Sequence, residues 1–278
     1  MGNALLAKYE IMLHWLAMTA YLAATLCFFR GTIFGKNKSL ACGMTFILAG
    51  LLPQTLALLV RWSYVFHGPY LTRYEVLSSS ALVMLGQFLY LSRRHPEIRF
   101  SGLFVAPLAL FATLAALCSG TAVRMLPASF NSLWVLPHVF FTKLAVGAFC
   151  IVIALIVAYL LKGRRSQARF MATLPAAELL DDYIYKITAF AFCCWTITIA
   201  TGALWAHESW ERYWGWDPIE TWSLITWLLL GVYLHLRRFF GWKGKRGIAV
   251  LIICIAVSLL TVFFLPFLVD SLHGDYYR

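Results

Sequence analysis

The chain contains eight apolar stretches, each long enough to cross a lipid bilayer. They lie at about 10–29, 40–60, 75–92, 102–119, 138–161, 186–206, 218–237 and 248–268. A helix needs about 20 apolar residues to span the hydrocarbon core, because each residue adds about 1.5 Å. With 62% hydrophobic and 13% charged residues, the composition excludes an ordinary soluble domain. We therefore predict an all-α polytopic membrane protein of about eight transmembrane helices, with residues 1–278 forming a single integral membrane domain.

Basic residues are concentrated in every second connection between these stretches. The first, third, fifth and seventh connections carry most of them, including Lys36, Arg93, Arg164 and Lys243. Cytoplasmic loops are enriched in Lys and Arg, so these connections are predicted to face the cytoplasm. Both termini and the connection at 207–219 then lie on the outer, periplasmic side of the cytoplasmic (inner) membrane. Topology and the lipid bilayer thus explain the net charge of +11, and no nucleic-acid partner is predicted.

The external connection at 207–219 and the helix ends beside it are rich in tryptophan. Between residues 202 and 238 lie six of the eleven tryptophans of the chain: Trp205, Trp210, Trp214, Trp216, Trp222 and Trp227. An aromatic belt at the membrane boundary explains one or two tryptophans per helix end, and it remains an alternative interpretation. Indole rings combine wide apolar faces with one N–H donor. Their density here favours a stacking platform for a large planar ligand.

A helix is predicted to begin directly after the tryptophan-rich connection. Asp217 can act as its N-cap, and Pro218 suits the first helical position, where no N–H is needed. Glu220 stands at the position that completes a capping box. The helix would start at Pro218 and continue to about residue 237.

Histidines and arginines are predicted to reach the same outer side as the tryptophans. His138 opens the fifth stretch and His273 follows the eighth. Haem is a planar ligand whose iron takes imidazole nitrogen and whose propionates need positive partners. His235 lies toward the cytoplasmic end of the seventh stretch, where it either faces the bundle interior or sits at the interface. The candidate propionate partners, each of which could instead be a solvated loop residue, are Arg61, Arg73, Arg124 and Arg212.

The stretch WERYWGWDPIETWSLITWLLLGVYLHLR resembles the tryptophan-rich WWD signature of the CcsA/ResC cytochrome c assembly proteins. The segments PYLTRYEVLSSS, SLWVLPHV and SLHGDYY are also similar to that family, although Gly274 and Asp275 depart from its usual tail. The resemblance implies that His138 and His273 ligate haem b over the loop and that His235 holds haem within the membrane. The residues that it assigns to the loop are Trp210, Trp214, Trp216, Asp217, Glu220 and Trp222.

The same resemblance implies an activity and its partners. The chain would be a cytochrome c haem lyase (synthase) subunit of the system II type, which attaches haem to the CxxCH thiols of apocytochrome c. It would act with a membrane subunit of the CcsB/ResB kind. No residue is assigned a catalytic role, because haem supplies the reacting vinyl groups. The alternatives are a haem-binding relative that regulates tetrapyrrole biosynthesis without attaching haem, and a transporter that binds no haem.

Overall fold

The computed structural model describes residues 2–162, 171 and 173–272 as helices joined by short connections. Within these residues there are no strands, and eight helical segments are long and apolar enough to cross a membrane. This result confirms the prediction of an all-α polytopic membrane protein. The helices are α1 (Gly2–Ile33), α2 (Asn37–Val65), α3 (Arg73–Arg94), α4 (Gly102–Cys118), α5 (Val135–Lys162), α6 (Ala177–Trp210), α7 (Pro218–Phe239), α8 (Lys245–Leu259) and α9 (Leu265–Leu268).

Most helices extend beyond the apolar stretches that predicted them. Helix α6 runs over Ala177–Trp210, whereas the stretch at 186–206 marks only its apolar part. The eighth segment is also interrupted, because a π-helical turn at Leu260–Phe264 separates α8 from α9. Hydropathy therefore locates the membrane-crossing part of a helix and leaves its polar ends to capping and packing.

The described chain divides into two compact units. The first comprises residues 1–125 and 153–180, and the second comprises residues 126–152 and 181–278.

In the first unit, α1 packs along α2 and against α4, and α3 packs against α4. A small residue allows α1 and α2 to approach closely: a Cβ atom at Gly50 would lie 2.4 Å from the ring of Tyr21. The core includes Phe28 and Phe88, whose rings meet edge to face at 5.7 Å. Small residues of this kind let helices in membranes pack closely, because lipid gives no hydrophobic force between them.

In the second unit, α6 and α7 are joined by indole groups that bond to the neighbouring helix. The Trp195 indole, 1% exposed, donates a hydrogen bond to the Ser223 carbonyl oxygen at 3.1 Å. The Trp227 indole donates to the Thr196 hydroxyl at 2.9 Å. At the far end of α7, Arg237 forms an ion pair of 2.6 Å with Asp181 at the start of α6.

Candidate functional site

His138 lies at the start of α5 and packs against the second half of α6. Its Nδ1 donates a hydrogen bond to the Thr198 carbonyl oxygen at 2.9 Å. A carbonyl oxygen only accepts, so Nδ1 carries the hydrogen and the lone pair of the neutral ring is on Nε2. Gly202 makes room for the imidazole, because a Cβ atom there would lie 2.8 Å from Nδ1. This arrangement fixes the tautomer that a metal-binding histidine needs.

The His138 imidazole lines a cavity between α6, the following loop and α7. The cavity has a volume of about 70 Å³, and its wall includes Tyr213, Trp214, Glu220 and Ser223. Sites for drug-sized ligands usually enclose about 300–1,000 Å³. In this conformation the cavity therefore admits a small group beside the imidazole, and a porphyrin requires movement of its wall.

The predicted platform tryptophans do not form one flat surface in this conformation. Trp214 lines the cavity, and its ring stands at 88° to that of Trp216, which is 69% exposed. Trp210 packs against Trp205 with ring centroids 5.4 Å apart. Trp222, in the first turns of α7, is partly exposed.

The loop proper comprises residues 211–217, since α6 continues to Trp210 and α7 begins at Pro218. Two of its residues, Glu211 and Trp216, have positive φ angles of 57° and 59°. Side chains other than glycine rarely adopt this left-handed conformation. The loop is therefore held in a defined and costly shape at both ends.

The predicted capping box at the start of α7 is confirmed. The Asp217 carboxylate accepts from the Ile219 N–H at 2.9 Å, and Glu220 accepts from the backbone N–H of Gly215 at 2.8 Å and of Asp217 at 3.2 Å. These bonds satisfy orphan donors at the helix start. The two acids thereby also fix the end of the loop.

Asp217 has a second role that its sequence position did not indicate. Its carboxylate also accepts hydrogen bonds from the Ser271 hydroxyl at 2.8 Å and the Leu272 N–H at 2.9 Å. The segment that follows α9 is thus tied to the start of α7. His273 itself lies outside the described residues.

Arg212 is the predicted propionate partner that lies in the same loop. Its Nη1 is 3.6 Å from Glu220 Oε1, and its guanidinium lies 5.8 Å from the ring of Trp210. Nη1 is buried and forms no hydrogen bond within the described part of the chain. Arg212 therefore keeps a buried Nη1 donor beside Glu220, without a hydrogen bond in the described residues.

The other three predicted propionate partners belong to the first unit. Arg73 and Arg124 are exposed at the surface of that unit. Arg61 is 1% exposed and bonds to Glu75, to Tyr64 and to two carbonyl oxygens. Its guanidinium is thus bound within the interior of the first unit and is not placed to meet a propionate.

His235 is exposed near the end of α7, about five turns from Asp217. Its ring lies 4.7 Å from that of Phe239 and 5.7 Å from that of Phe240. The structure thus places His235 at the opposite end of α7 from the tryptophan-rich loop.

Two contributors to this site were not predicted from the sequence: Thr198 and Gly202. The first acts through its backbone, which no side-chain pattern reveals. Trp205 is 4% exposed and donates to the Ser129 carbonyl oxygen at 2.7 Å, which also accepts from Ser209 at 2.7 Å. For Gly202 the available signal was a glycine three residues before Trp205, near the end of a long helix.

Comparison with known proteins shows the family of the chain. The sequence profile of the family described as cytochrome C assembly protein matches residues 69–273. A cytochrome c biogenesis protein CcsA from Prochlorococcus marinus (strain MIT 9301) is 31% identical, over 81% of this chain and 83% of its own length. A CcsA from Synechococcus sp. (strain JA-3-3Ab) is 28% identical, with 87% of each chain covered.

A solved structure named cytochrome c heme lyase CcmF has a similar fold, with a TM-score of 0.68 and 18% identity. The match covers 98% of this chain and 48% of the other, so this chain spans about half the length of that protein. At this identity the likeness shows the fold alone. The family profile covers most of the chain, and the Prochlorococcus relative matches over most of both proteins. The chain therefore belongs to the cytochrome c assembly protein family, and within it to the CcsA type.

Proposed function

We propose that this protein takes part in cytochrome c maturation by holding haem b at the tryptophan-rich loop while haem is attached to an apocytochrome c. In the attachment step each CxxCH thiol adds to a haem vinyl group, so that a carbon–sulfur bond forms and the thiol hydrogen passes to carbon. The protein would act mainly by positioning, because haem supplies the reacting groups.

The observation that carries this proposal is the fixed imidazole of His138. Its Nδ1 is bound to the Thr198 carbonyl, so the lone pair of the neutral ring is on Nε2, and His138 and Trp214 line the same cavity. A histidine oriented through its other nitrogen is the usual form of an axial or metal ligand. His138 would therefore ligate the haem iron.

The second axial ligand that we propose is His273. It follows directly after Leu272, whose N–H is bound to Asp217 beside the loop. This bond supports the proposal because it holds the preceding residue at the start of α7. Arg212 would pair with a propionate, because its buried Nη1 lies within the loop.

Admission of haem would require the loop at 211–217 to move, since the cavity of about 70 Å³ is too small for a porphyrin. Trp214 and Trp216 would then turn from their perpendicular arrangement to present ring faces to the ligand. His235, at the opposite end of α7, would hold haem during its passage from the cytoplasmic side. A CcsB/ResB-like subunit would complete the assembly, with the loop and both termini on the periplasmic side of the inner membrane.

The proposal can be tested by producing the protein with a CcsB/ResB-like subunit and a reporter apocytochrome c in a host without its own assembly system. We expect a haem-stained reporter with the unaltered chain and loss of most of it with His138→Ala. Added imidazole should restore part of the product, because a free ligand can take the vacant axial position.

His95→Ala provides a matched control, since His95 is exposed at the end of α3, outside the second unit. It should leave the product unchanged. Wild-type product from the His138→Ala variant would refute ligation by that residue. A haem-binding protein that gives no stained reporter with its partner would instead support the regulatory alternative.

A further inference from the structure

The first unit contains a buried cluster of ionisable side chains that the proposed function does not use. Glu10, Tyr74 and Glu75 are 0% exposed, Arg61 is 1% exposed and Tyr64 is 8% exposed. They come from three helices that are long and apolar enough to cross a membrane. Ionisable groups in such helices are costly to bury and usually mark a site of function.

Arg61 and Glu75 satisfy each other's charge. Arg61 Nε donates to Glu75 Oε1 at 2.9 Å, and its remaining bonds go to the Tyr64 hydroxyl and to the carbonyl oxygens of Thr121 and Ala122. Glu75 Oε2 accepts from two backbone N–H groups of the residues that precede α3. The pair is thus neutral as a whole, and each nitrogen of the guanidinium and each oxygen of the carboxylate has at least one hydrogen-bond partner.

Glu10 is a second carboxyl group beside the same cation. Its Oε2 hydrogen-bonds to the Tyr64 hydroxyl, while its Oε1 is buried and has no hydrogen-bond partner in the described residues. One guanidinium cannot balance two carboxylates. An ionised Glu10 would therefore be an uncompensated buried charge, which is far more costly than a neutral acid.

Two histidines near the cluster do not supply the missing charge. His14 bonds through Nδ1 to the Glu10 carbonyl oxygen at 3.0 Å and through Nε2 to the Ser78 hydroxyl at 2.7 Å. His67 donates from Nδ1 to the Gly68 carbonyl oxygen, and that atom is 3.9 Å from Glu75. The two bonds of His14 are those of a neutral ring. The Nε2 of His67 is buried with no hydrogen-bond partner among the described residues, so a second N–H on that ring would have no acceptor.

We propose that the carboxyl group of Glu10 is a proton-binding site of the first unit, loaded through the hydroxyl group of Tyr64. Tyr64 is the more exposed of the two tyrosines around Glu10, and its hydroxyl contacts both Glu10 and Arg61. The other tyrosine, Tyr74, is hydrogen-bonded to His14 Nδ1 at 3.1 Å, and His14 is hydrogen-bonded to Ser78.

The inner branch of hydrogen bonds, which runs from Tyr74 through His14 to Ser78, ends at an amide. The Gln54 side chain donates to the Ser78 carbonyl oxygen at 2.9 Å, and it also bonds to the hydroxyl of Tyr21. An amide does not exchange protons readily, so the chain does not continue as a relay. The site therefore binds a proton from one side and is not a channel.

Infrared difference spectroscopy of the purified protein tests this proposal, because a protonated carboxylic acid has its own carbonyl stretch. We expect such a band near neutral pH, its loss in Glu10→Gln and its retention in Glu178→Gln, an exposed glutamate at the start of α6. Absence of the band from the unaltered protein, or its survival in folded Glu10→Gln, would overturn the proposal.

The loading route is tested by transfer into heavy water, which shifts the same band as deuterium replaces the proton. Tyr64→Phe should keep the band and slow its shift roughly a hundredfold, the scale on which a positioned proton donor acts. Ser78→Ala removes one hydroxyl from the inner branch and should leave the rate unchanged. Equal rates in the Tyr64→Phe variant and the unaltered protein would refute loading through Tyr64. These readouts do not involve haem, so they are independent of the proposed function.

Discussion

The Asp217→Asn substitution separates the two roles of Asp217. In the unaltered protein one carboxylate caps α7 through the Ile219 N–H and also receives the Leu272 N–H, each at 2.9 Å. An asparagine has only one acceptor oxygen, so one of these two donors must face its NH₂ group. Asparagine is a strong N-cap residue, so the oxygen should remain with Ile219. The Leu272 N–H is then the donor that loses its acceptor.

The size of the effect follows from the exposure of that bond. A buried donor left without a partner costs about 1–3 kcal/mol. Leu272 is 40% exposed, so water can partly replace the lost acceptor and the lower end of that range applies. A change of about 1 kcal/mol corresponds to a roughly fivefold increase in the population with the bond open.

Hydrogen exchange measured by mass spectrometry in lipid nanodiscs reports this opening. In Asp217→Asn the amide of Leu272 should exchange roughly fivefold faster, while the first turn of α7 stays protected. Glu220→Gln is the matched control, because Glu220 bonds to Gly215 and Asp217 but not to Leu272. Unchanged exchange at Leu272 in Asp217→Asn, or the same increase in both variants, would refute this account of Asp217.

Three further perturbations test the packing inside each of the two units. Gly202→Ala would place a Cβ atom 2.8 Å from His138 Nδ1 and should lower the haem-stained product, whereas Gly86→Ala, which meets nothing within 4 Å, should not. Arg237→Ala should lower the thermal unfolding midpoint, because it leaves Asp181 unpaired where both side chains are at most 13% exposed, at a cost of about 3–5 kcal/mol; Lys186→Ala breaks an exposed pair and should leave the midpoint unchanged. Mild oxidation should join Cys27 to Cys42, whose Sγ atoms are 3.6 Å apart, and peptide mapping that finds both thiols free would contradict the packing of α1 against α2.

Features encoded within a few residues were predictable from the sequence. Asp217, Pro218 and Glu220 indicated the start of α7 because a helix cap depends on neighbours within one turn. The eight membrane-crossing helices were predictable because each hydrophobic run is continuous. These signals need no knowledge of which helices are adjacent.

Features that join distant parts of the chain were not predictable in this way. The partner of His138 is a backbone carbonyl 60 positions away, and that of Asp217 is the N–H of Leu272. Arg61 was predicted from the sequence to be a cation in an external connection, yet it is buried and forms an ion pair with Glu75. Its role depends on the packing of α2 against α3, which no local pattern specifies.

The left-handed conformations of Glu211 and Trp216 store strain energy in the backbone of the closed loop. Each such residue holds roughly 1–3 kcal/mol of backbone strain. A rearrangement that returned both to negative φ would recover this energy and offset part of the work of parting the indole rings. Replacing either residue by glycine would remove that stored energy and favour the shut form. The backbone strain of two residues held at positive φ would thus favour the open loop that a ligand as large as haem requires.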